Sequence, residues 1–411
     1  MINNRNIKKI NSFFVLIIIA LFPILLSAQN KMSLPLAIEM AIKNNMTLKS
    51  ERLKAEYHQK MIETYKNIPS TIISGGFGQM NSSYIDNRFA IGQSFSLPIV
   101  YSNQKKLLTE EWKSVLLGVN IKEVELKKMI TELYYSLIYL KAKEKLLLKS
   151  DTIYNNFFKK TEVRFSKGES NILEKTTAET QLSNLRLQLK QLNQEIAFLQ
   201  AKFQLLLNVE TKIEVEESLF YQSVVMGQNT IEQHPNLKYI EQQKQLNTVN
   251  IALEKSKLLP EISVGAASTT MKGVGSDDIY YNRWKRFQSF DIGVGIPIFR
   301  KSQKAKIAAN EFYGNVLNQE LATEKQQLEN HYQSLIFQYN ASNEQIKSYE
   351  ATVLPNANLI VDTATKQFNN GEINYLDWVI LINQSIELKK NYIELVKVRN
   401  EYIVQLSYFN N

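Results

Sequence analysis

The sequence predicts a mostly α-helical protein with a small β part, in which long antiparallel helical hairpins with coiled-coil packing are joined to four β-strands. Three observations support this fold class. The 411 residues include only 14 glycines and 8 prolines, too few for a fold rich in loops. Leucines recur at alternating steps of three and four residues, which is the spacing of packed helices. The same order of elements occurs twice, which indicates an internal duplication.

The first residues are typical of a secretory signal peptide. A basic N-terminal segment precedes the apolar run from Phe13 to Leu26, and small residues follow it. We expect cleavage after Ala28, so that residues 1–28 are the signal peptide. A membrane anchor is the alternative, but this run contains Pro23 and is shorter than the ~20 residues that cross a bilayer as a helix.

Composition argues against several classes of function. Beyond the signal peptide the chain keeps 46 basic and 40 acidic residues, without the basic blocks that indicate nucleic acid binding. The absence of cysteine leaves no disulfide framework and no thiolate metal site. His58, His234 and His331 lie far apart in the sequence, and there is no nucleophile–base pair or phosphate loop. We therefore expect no enzyme activity, no cofactor and no bound metal.

The first half begins with a helical pattern from Leu34 to about Asn67, which Pro69 ends. Two strand-like segments follow, Thr71 to about Met80 and Phe89 to Leu97. In the second segment, large apolar residues alternate with small or polar residues, which is the period of a β-strand. The polar residues 81–87 predict a turn between the two strands.

A long helix and a returning helix complete the first half. No proline occurs from Tyr101 to Phe165, and an unbroken helix of this length would extend ~100 Å. The apolar residues predicted to pack between the two helices are Leu126, Ile130, Leu133, Leu137, Leu140 and Leu147 in the first and Leu182, Leu185, Leu189, Leu192, Ile196, Leu199, Phe203 and Leu206 in the second.

The two helices are joined by a bend that occurs twice in the chain. Residues 165–174 are F-S-K-G-E-S-N-I-L-E, and residues 368–377 are F-N-N-G-E-I-N-Y-L-D. Phe, Gly, Glu, Asn, Leu and a final acid are in register. We predict that Gly168 and Gly371 take the left-handed conformation that reverses the chain. Glu169 and Glu372 follow them in the same exposed bends.

The second half repeats this order of elements. A helix from His234 to Leu259 precedes strands at 261–269 and 289–296, and a second long helix at about 302–368 leads to the second bend and a last helix at about 375–406. The predicted boundaries are a first structural repeat at 29–208, a linker with strand-like residues at 209–230, and a second structural repeat at 231–411.

The four strands predict a barrel that several copies of the chain share. Each strand has one large apolar side and one side of Gly, Ala, Ser and a single Asp, as transmembrane strands have with lipid outside and water inside. Strands of soluble β-sandwiches alternate in the same way and are the alternative. Four strands cannot close a barrel, and hydrocarbon does not tolerate an open edge. Two copies would give eight strands around a filled interior, whereas three would give twelve around a water-lined lumen.

On these features the chain resembles the outer membrane efflux proteins, the TolC-like channels of bacterial tripartite exporters. The residues that carry the resemblance are the opening Leu36-Ala37, Ala41-Ile42, Asn45 and Leu48, the hairpin ends Leu97-Pro98 and Ile296-Pro297, and the two Phe-x-x-Gly bends. The resemblance covers essentially all of the chain after the signal peptide.

The resemblance implies a homotrimer whose 12-stranded barrel lies in the outer membrane and continues into an α-helical tunnel in the periplasm. It also implies docking of a periplasmic adaptor, or membrane fusion protein, at the bends formed by Gly168, Glu169, Gly371 and Glu372. An inner-membrane pump, expected to be of the RND type, would drive the assembly. Tyr280, Tyr281 and Trp284 fall in the second strand-to-strand loop, where aromatic residues suit a membrane interface.

The resemblance further implies a gate near the second bend. In the family, acids one turn past this bend ring the closed end of the tunnel, and Asp377 matches the first of them. The second such position is Ile380 here, which departs from the family pattern. Glu174 is the counterpart of Asp377 in the first half. Stabilisation of a helix N-terminus by an acid is the structural alternative for both residues, and we favour it for Glu174.

Residues 93–106 and 293–306 resemble the heavy-metal branch of the family, the cobalt-zinc-cadmium or copper type. The function that the resemblance implies is a passive exit duct for heavy-metal cations or small toxic compounds, which pass through without resting in a site. The alternative from another class is a secreted structural coiled-coil or adhesin-like protein, which would stay soluble without detergent.

Overall fold

The computed structural model describes residues 31–211, 213–216 and 231–410. The predicted signal peptide and residues 217–230 of the predicted linker lie outside the described residues. Helices form most of the described chain. None of these described helices is both long and apolar enough to cross a bilayer.

The helices follow one another along the chain as the sequence predicts. Their bounds are α1 (Leu34–Asn44), α2 (Met46–Met61), α3 (Pro98–Ser166), α4 (Ile172–Leu207), α5 (Pro235–Ser256), α6 (Lys301–Ser348), α7 (Leu354–Asn370) and α8 (Tyr375–Ser407). The strands are β1 (Lys31–Met32), β2 (Ile72–Gly78), β3 (Asp86–Ser96), β4 (Glu214–Val215), β5 (Glu261–Thr270), β6 (Gly273–Val274), β7 (Tyr280–Tyr281) and β8 (Arg286–Gly295).

Contacts divide the chain into two units. The bend unit comprises the described residues within 1–46, 124–228 and 332–411, and the sheet unit comprises residues 47–123 and the described residues within 229–331. Each unit contains parts of both sequence repeats, and helices α3 and α6 contribute residues to both units.

The core of the bend unit confirms the predicted helix pairing. Leu140 and Leu147 of α3 lie in one buried cluster with Leu182, Leu185 and Ile196 of α4. The two helices therefore pack through the residues of the 3-4 repeat. At the end of α4 the prediction was wrong by one position, because Leu207 is fully buried and Leu206 is only partly buried.

The helix predicted from Leu34 to about Asn67 is interrupted. Asn45 separates α1 from α2, and its side-chain amide donates to the main-chain oxygen of Leu206 at 3.1 Å. A short polar side chain that bonds to main chain competes with the helix and favours an end over a continuous turn. The helical pattern stops at Met61, after which Ile62–Tyr65 is a 3₁₀ turn.

The second long helix, predicted at about 302–368, is also interrupted. Tyr349–Val353 is a π-helical turn between α6 and α7, and Pro355 lies in the first turn of α7. Proline has no N–H to donate and its ring crowds the preceding turn, so the hydrogen-bond spacing changes where it enters the helix.

Four strands of the sheet unit form one antiparallel sheet in the order β2-β3-β5-β8. Its register sets Ile73 opposite Ile91, Ile91 opposite Ala266, and Ala266 opposite Phe290. Directly opposite residues point to the same side of a sheet. Most of the large apolar residues of the four strands therefore lie on one side, and most of the glycines lie on the other. The exceptions are Ile72 and Phe287, which lie on the side of the glycines, and Gly75, which lies on the apolar side.

Two short strand pairings add to these elements. The linker at 209–230 was predicted to have strand-like residues, and β4 lies within it and pairs in parallel with β1. The loop that contains Tyr280, Tyr281 and Trp284 includes the hairpin β6–β7, which was not predicted. Two-residue strands are too short to leave a periodicity that identifies their partners.

A buried carboxylate ties the end of α5 to the start of α6. Glu254 has only 3% of its surface exposed, and it accepts from Lys257 at 2.8 Å, Lys306 at 2.9 Å and Gln303 at 2.6 Å. Burial by itself opposes ionisation, but these hydrogen bonds outweigh it and hold the pKa of Glu254 at about 2. The ionised carboxylate thus stabilises this junction.

Acidification should weaken the junction. The pKa of Glu254 is lower in the folded protein than in the unfolded chain, so its stabilisation is complete above about pH 4.5 and is lost as pH falls towards 2. Since both lysines are about half exposed, solvent screening limits the effect to ~1–2 kcal/mol. We expect Glu254→Gln to lower the melting temperature of the detergent-solubilised protein at pH 7 and to flatten its dependence on pH below 4.5.

The matched control for this prediction is Glu311→Gln. Glu311 pairs with Lys255 at 2.7 Å, but its side chain is about half exposed. This variant should melt like the wild type at pH 7. Equal losses in the two variants would contradict a special role for Glu254.

Candidate functional site

Both bends have the same main-chain geometry. Gly168 has a φ of 73° and Gly371 a φ of 77°. The amide of Gly371 donates to the oxygen of Phe368, and the amide of Glu372 donates to the oxygen of Gln367; the first bend has the same pair of bonds from Gly168 and Glu169. This is the Schellman motif, in which a left-handed residue satisfies the last carbonyls of a helix. The predicted left-handed glycines are confirmed.

The returning helices begin with the same cap. The side-chain oxygen of Asn171 accepts from the amide of Glu174 at 2.9 Å, and that of Asn374 accepts from the amide of Asp377 at 3.0 Å. Each cap satisfies one of the N–H groups that a helix start leaves without a partner. The duplicated sequence therefore encodes a complete stop and restart of a helix within a few residues.

The two acids differ in their surroundings. The Glu174 carboxylate is 9% exposed and accepts from the Arg164 guanidinium at 3.1 Å. Arg164 corresponds to Gln367 in the second bend. The neutral Gln367 side chain cannot form an ion pair with an acid. Asp377 is exposed, and no basic group within the described residues forms an ion pair with it. This arrangement favours a structural role for Glu174 and leaves the Asp377 carboxylate available to solvent.

An aromatic cluster, made of Tyr154, Phe157, Phe368 and Trp378, joins the two hairpins near their bends. The rings of Phe157 and Trp378 stack with centroids 4.2 Å apart, and the ring of Phe368 lies 5.3 Å from that of Phe157. The hydroxyl of Tyr154 donates to Asn383 at 2.7 Å. Trp378 is buried, so the residue directly after Asp377 is fixed in a packed core.

The aromatic cluster was not predicted from the sequence. The repeated Phe of the two bends was a partial signal, since Phe368 belongs to the cluster and its counterpart Phe165 does not. Contacts between residues about 220 positions apart leave no trace in local periodicity.

The sheet carries its large apolar side chains on an exposed side. Phe290 is 86% exposed and Ile292 is 82% exposed, and Ile73, Ile91 and Val294 of the same side are at least half exposed. A contiguous apolar surface of this kind marks a contact with lipid or another protein.

The middle of the opposite side of the sheet is lined by small residues and one acid, and Ile72 and Phe287 lie on this side at strand ends. Gly92, Gly265 and Asp291 stand in one row across three strands. A Cβ at position 293 would lie 2.5 Å from the hydroxyl of Ser263, so a larger residue there would require the Ser263 side chain to rotate away. The only carboxylate in the middle of this side is that of Asp291, which points away from the apolar residues.

Both edges of the sheet are open within the described residues. There β2 pairs only with β3, and β8 pairs only with β5. Main-chain N–H and C=O groups along these edges are left to pair with another chain.

The described residues contain no group of three or more side chains suited to hold a metal ion. His234 is buried and caps α5 instead, where its Nδ1 accepts from the amide of Asn236 at 3.3 Å. Burial lowers the pKa of His234, against a smaller opposing effect of Glu324.

Comparison with protein families gives one match. Residues 226–406 match the model of the family described as "Outer membrane efflux protein". No curated protein sequence matches the chain.

Solved structures share the fold over nearly the whole chain. The CusC structure, described in terms of folding and transmembrane channel formation, is 17% identical with a TM-score of 0.75, over 92% of this chain and 91% of that one. A membrane protein from Pseudomonas aeruginosa is 14% identical with a TM-score of 0.77, over 94% and 93%. The Campylobacter jejuni CmeC outer membrane channel is 12% identical with a TM-score of 0.71, over 92% and 85%. At these identities the likeness shows the fold.

The different surroundings of the two acids lead to a prediction about stability. Glu174→Gln should increase the rate of amide hydrogen exchange in residues 165–174, because it removes the ion pair with Arg164. The expected loss is ~1 kcal/mol, since Arg164 is partly exposed. Asp377→Asn should change exchange in residues 368–377 by only a few tenths of a kcal/mol, the value of an acid in the first turn of a helix.

Arg164→Gln is the matched control, because it gives the first bend the residue that the second bend has naturally. It should increase exchange as Glu174→Gln does. Equal effects of the Glu174 and Asp377 variants would contradict the assignment of a structural role to Glu174 alone.

Proposed function

We propose that the protein is the passive exit duct of an efflux assembly, because residues 226–406 match the model of the outer membrane efflux protein family and the chain shares the fold of solved outer membrane channels. The proposed location is the outer membrane, with the helical part of the chain in the periplasm. No catalytic group is required for this role.

The observation that carries the proposal is the four-stranded sheet. One side of it exposes large apolar residues, the middle of the other side carries small residues and Asp291, and both edges are open within the described residues. Exposed apolar side chains suit lipid, and open edges in lipid must be paired because hydrocarbon offers no hydrogen-bond partner. Three copies would supply twelve strands and a lumen wide enough for water.

We further propose that the two bends are the contact points for the periplasmic adaptor. Each ends in an exposed glycine-glutamate pair, Gly168-Glu169 and Gly371-Glu372. A trimer would present six such bends. The adaptor would connect them to an inner-membrane pump of the RND type, as the sequence resemblance implies.

Substrates are proposed to be small toxic compounds or heavy-metal cations. The resemblance of residues 93–106 and 293–306 to the heavy-metal branch favours cations. Asp291 would place a carboxylate on the lumen side of each protomer's sheet, and Asp377 would place one near the second bend. Rings of carboxylates concentrate cations without binding them tightly.

The proposal is tested by single-channel recording from the mature protein in planar bilayers. We expect a stable cation-preferring conductance. Asp377→Ala should reduce the cation-to-anion permeability ratio several-fold and weaken block by multivalent cations, because it removes three carboxylates from one ring. Glu179→Gln, which removes an exposed acid from α4, is the matched control and should conduct like the wild type.

Two results would contradict these assignments. Unchanged selectivity and unchanged block in Asp377→Ala would exclude this residue from the aperture. A wild-type protein that stays in solution without detergent and never conducts would favour the secreted coiled-coil or adhesin-like alternative.

A further inference from the structure

The apolar side of the sheet ends at a polar border on β8. Arg286 lies on that side, because its guanidinium stands over the ring of Phe89 at 5.2 Å and donates to the side-chain oxygen of Asn87 at 2.7 Å. It also donates to the hydroxyl of Ser268 at 2.7 Å. Phe89, Ser268 and Asn87 all occupy the register positions of the apolar side. Arg286, Asn87 and Ser268 thus place polar groups at this end of the apolar side of the sheet.

Three further basic residues surround the border. Lys272 and Lys285 lie within two residues of the strand ends, and Arg283 lies between them in the connecting loop. The Lys272 ammonium stands 4.5 Å from the ring centre of Tyr84, and the Arg283 guanidinium stands 5.1 Å from that of Trp284. Lys272 and Arg283 thus lie against aromatic faces, and no ion pair with a carboxylate of the described residues involves Lys272, Arg283 or Lys285.

Two acids of this region are engaged in hydrogen bonds, whereas Asp278 is exposed in the same loop. Asp86 is 1% exposed and accepts from the main-chain amides of Lys272 at 2.9 Å and Asn81 at 3.2 Å. The carboxylate of Asp277 accepts from the hydroxyl of Tyr281. These bonds tie the two strand-to-strand loops to each other and fix the loop from which the basic side chains project.

Trp284 completes the arrangement. It is 77% exposed and directly precedes Lys285 and the border residue Arg286. Tryptophan beside basic residues at the limit of an apolar surface is the combination that proteins place at the headgroup level of a membrane.

We propose that the basic patch, made of Lys272, Arg283, Lys285 and Arg286, binds the phosphate groups of anionic lipid headgroups. This inference rests on the proposed function, because it requires that the apolar side of the sheet faces lipid. The patch has the charge that a lipid phosphate needs, and it lies at the border of the apolar surface where a headgroup would be. Each exposed basic group near a membrane surface strengthens binding to anionic lipid roughly five-fold.

The test measures lipid that stays with the full-length mature protein. The protein is equilibrated with mixed micelles of phosphatidylcholine and phosphatidylglycerol, and the ratio of the two lipids retained after gel filtration is measured. We expect the wild type to enrich phosphatidylglycerol. The variant Lys272→Gln, Arg283→Gln, Lys285→Gln should lose most of this enrichment, and Arg286 is left intact because it joins three strands.

The matched control removes three exposed lysines of the same unit, by Lys49→Gln, Lys60→Gln and Lys238→Gln. It should enrich phosphatidylglycerol as the wild type does. Equal retention of both lipids by the wild type, or equal losses in the two variants, would overturn the proposal. So would displacement of the lipid by millimolar inorganic phosphate, which would show that the patch binds free phosphate.

A second measurement does not depend on these variants. Lipid brominated near the headgroup should quench the fluorescence of Trp284, and Trp284→Phe should abolish that quenching. Trp378 is buried and Trp112 is partly buried, so both should contribute little. Absence of quenching in a protein that conducts would overturn the lipid contact and leave the channel function standing. A protein that enters no micelle and never conducts would overturn both.

Discussion

The open edges of the four-stranded sheet are the constraint on which the rest of the structure depends. Strands β2 and β8 each present a row of main-chain groups that no other described strand satisfies. The apolar side between them cannot stay in water at low cost, because side chains such as Phe290 and Ile292 stand almost fully exposed. In the proposed assembly, the edges of further copies would pair with these main-chain groups, and lipid would cover the apolar side. The small side chains in the middle of the opposite side would then leave space for a lumen.

The helical part contains two copies of the same helix–bend–helix arrangement. Two bends, each with a left-handed glycine and an asparagine cap, return their helices over a few residues. The two bends differ in the surroundings of the acid that lies three residues after each asparagine cap. Arg164 holds Glu174 inside the first bend, whereas Asp377 remains exposed beside the buried Trp378. The first bend is thus stabilised by an ion pair, whereas the Asp377 carboxylate has no ion-pair partner among the described residues and directly precedes the buried Trp378.

Much of the fold could be predicted from the sequence because the signals are local and periodic. Each element can be predicted from its own pattern: β3 from its alternation, α4 from its 3-4 spacing, and the bends from the repeated Gly-Glu pairs. The breaks at Asn45 and before Pro355 could not be placed, because the first depends on a hydrogen bond to Leu206, 161 residues away, and the second on how a π-turn accommodates proline. The same limit applies to the site. Asp377 and Glu174 look alike in the sequence, and only the contact of Glu174 with Arg164 separates them.

The most direct test of this account is cross-linking between the two sheet edges. The chain has no cysteine, so Ser74→Cys on β2 can be combined with Ser289→Cys or Asp291→Cys on β8 without background. Within one copy these strands are separated by two others, about 14 Å, which exceeds the reach of a disulfide. Oxidation in membranes should therefore give a closed trimer on non-reducing gels, and each single variant should give none. Monomers alone, or a ladder that continues past three copies, would contradict a barrel shared by three chains.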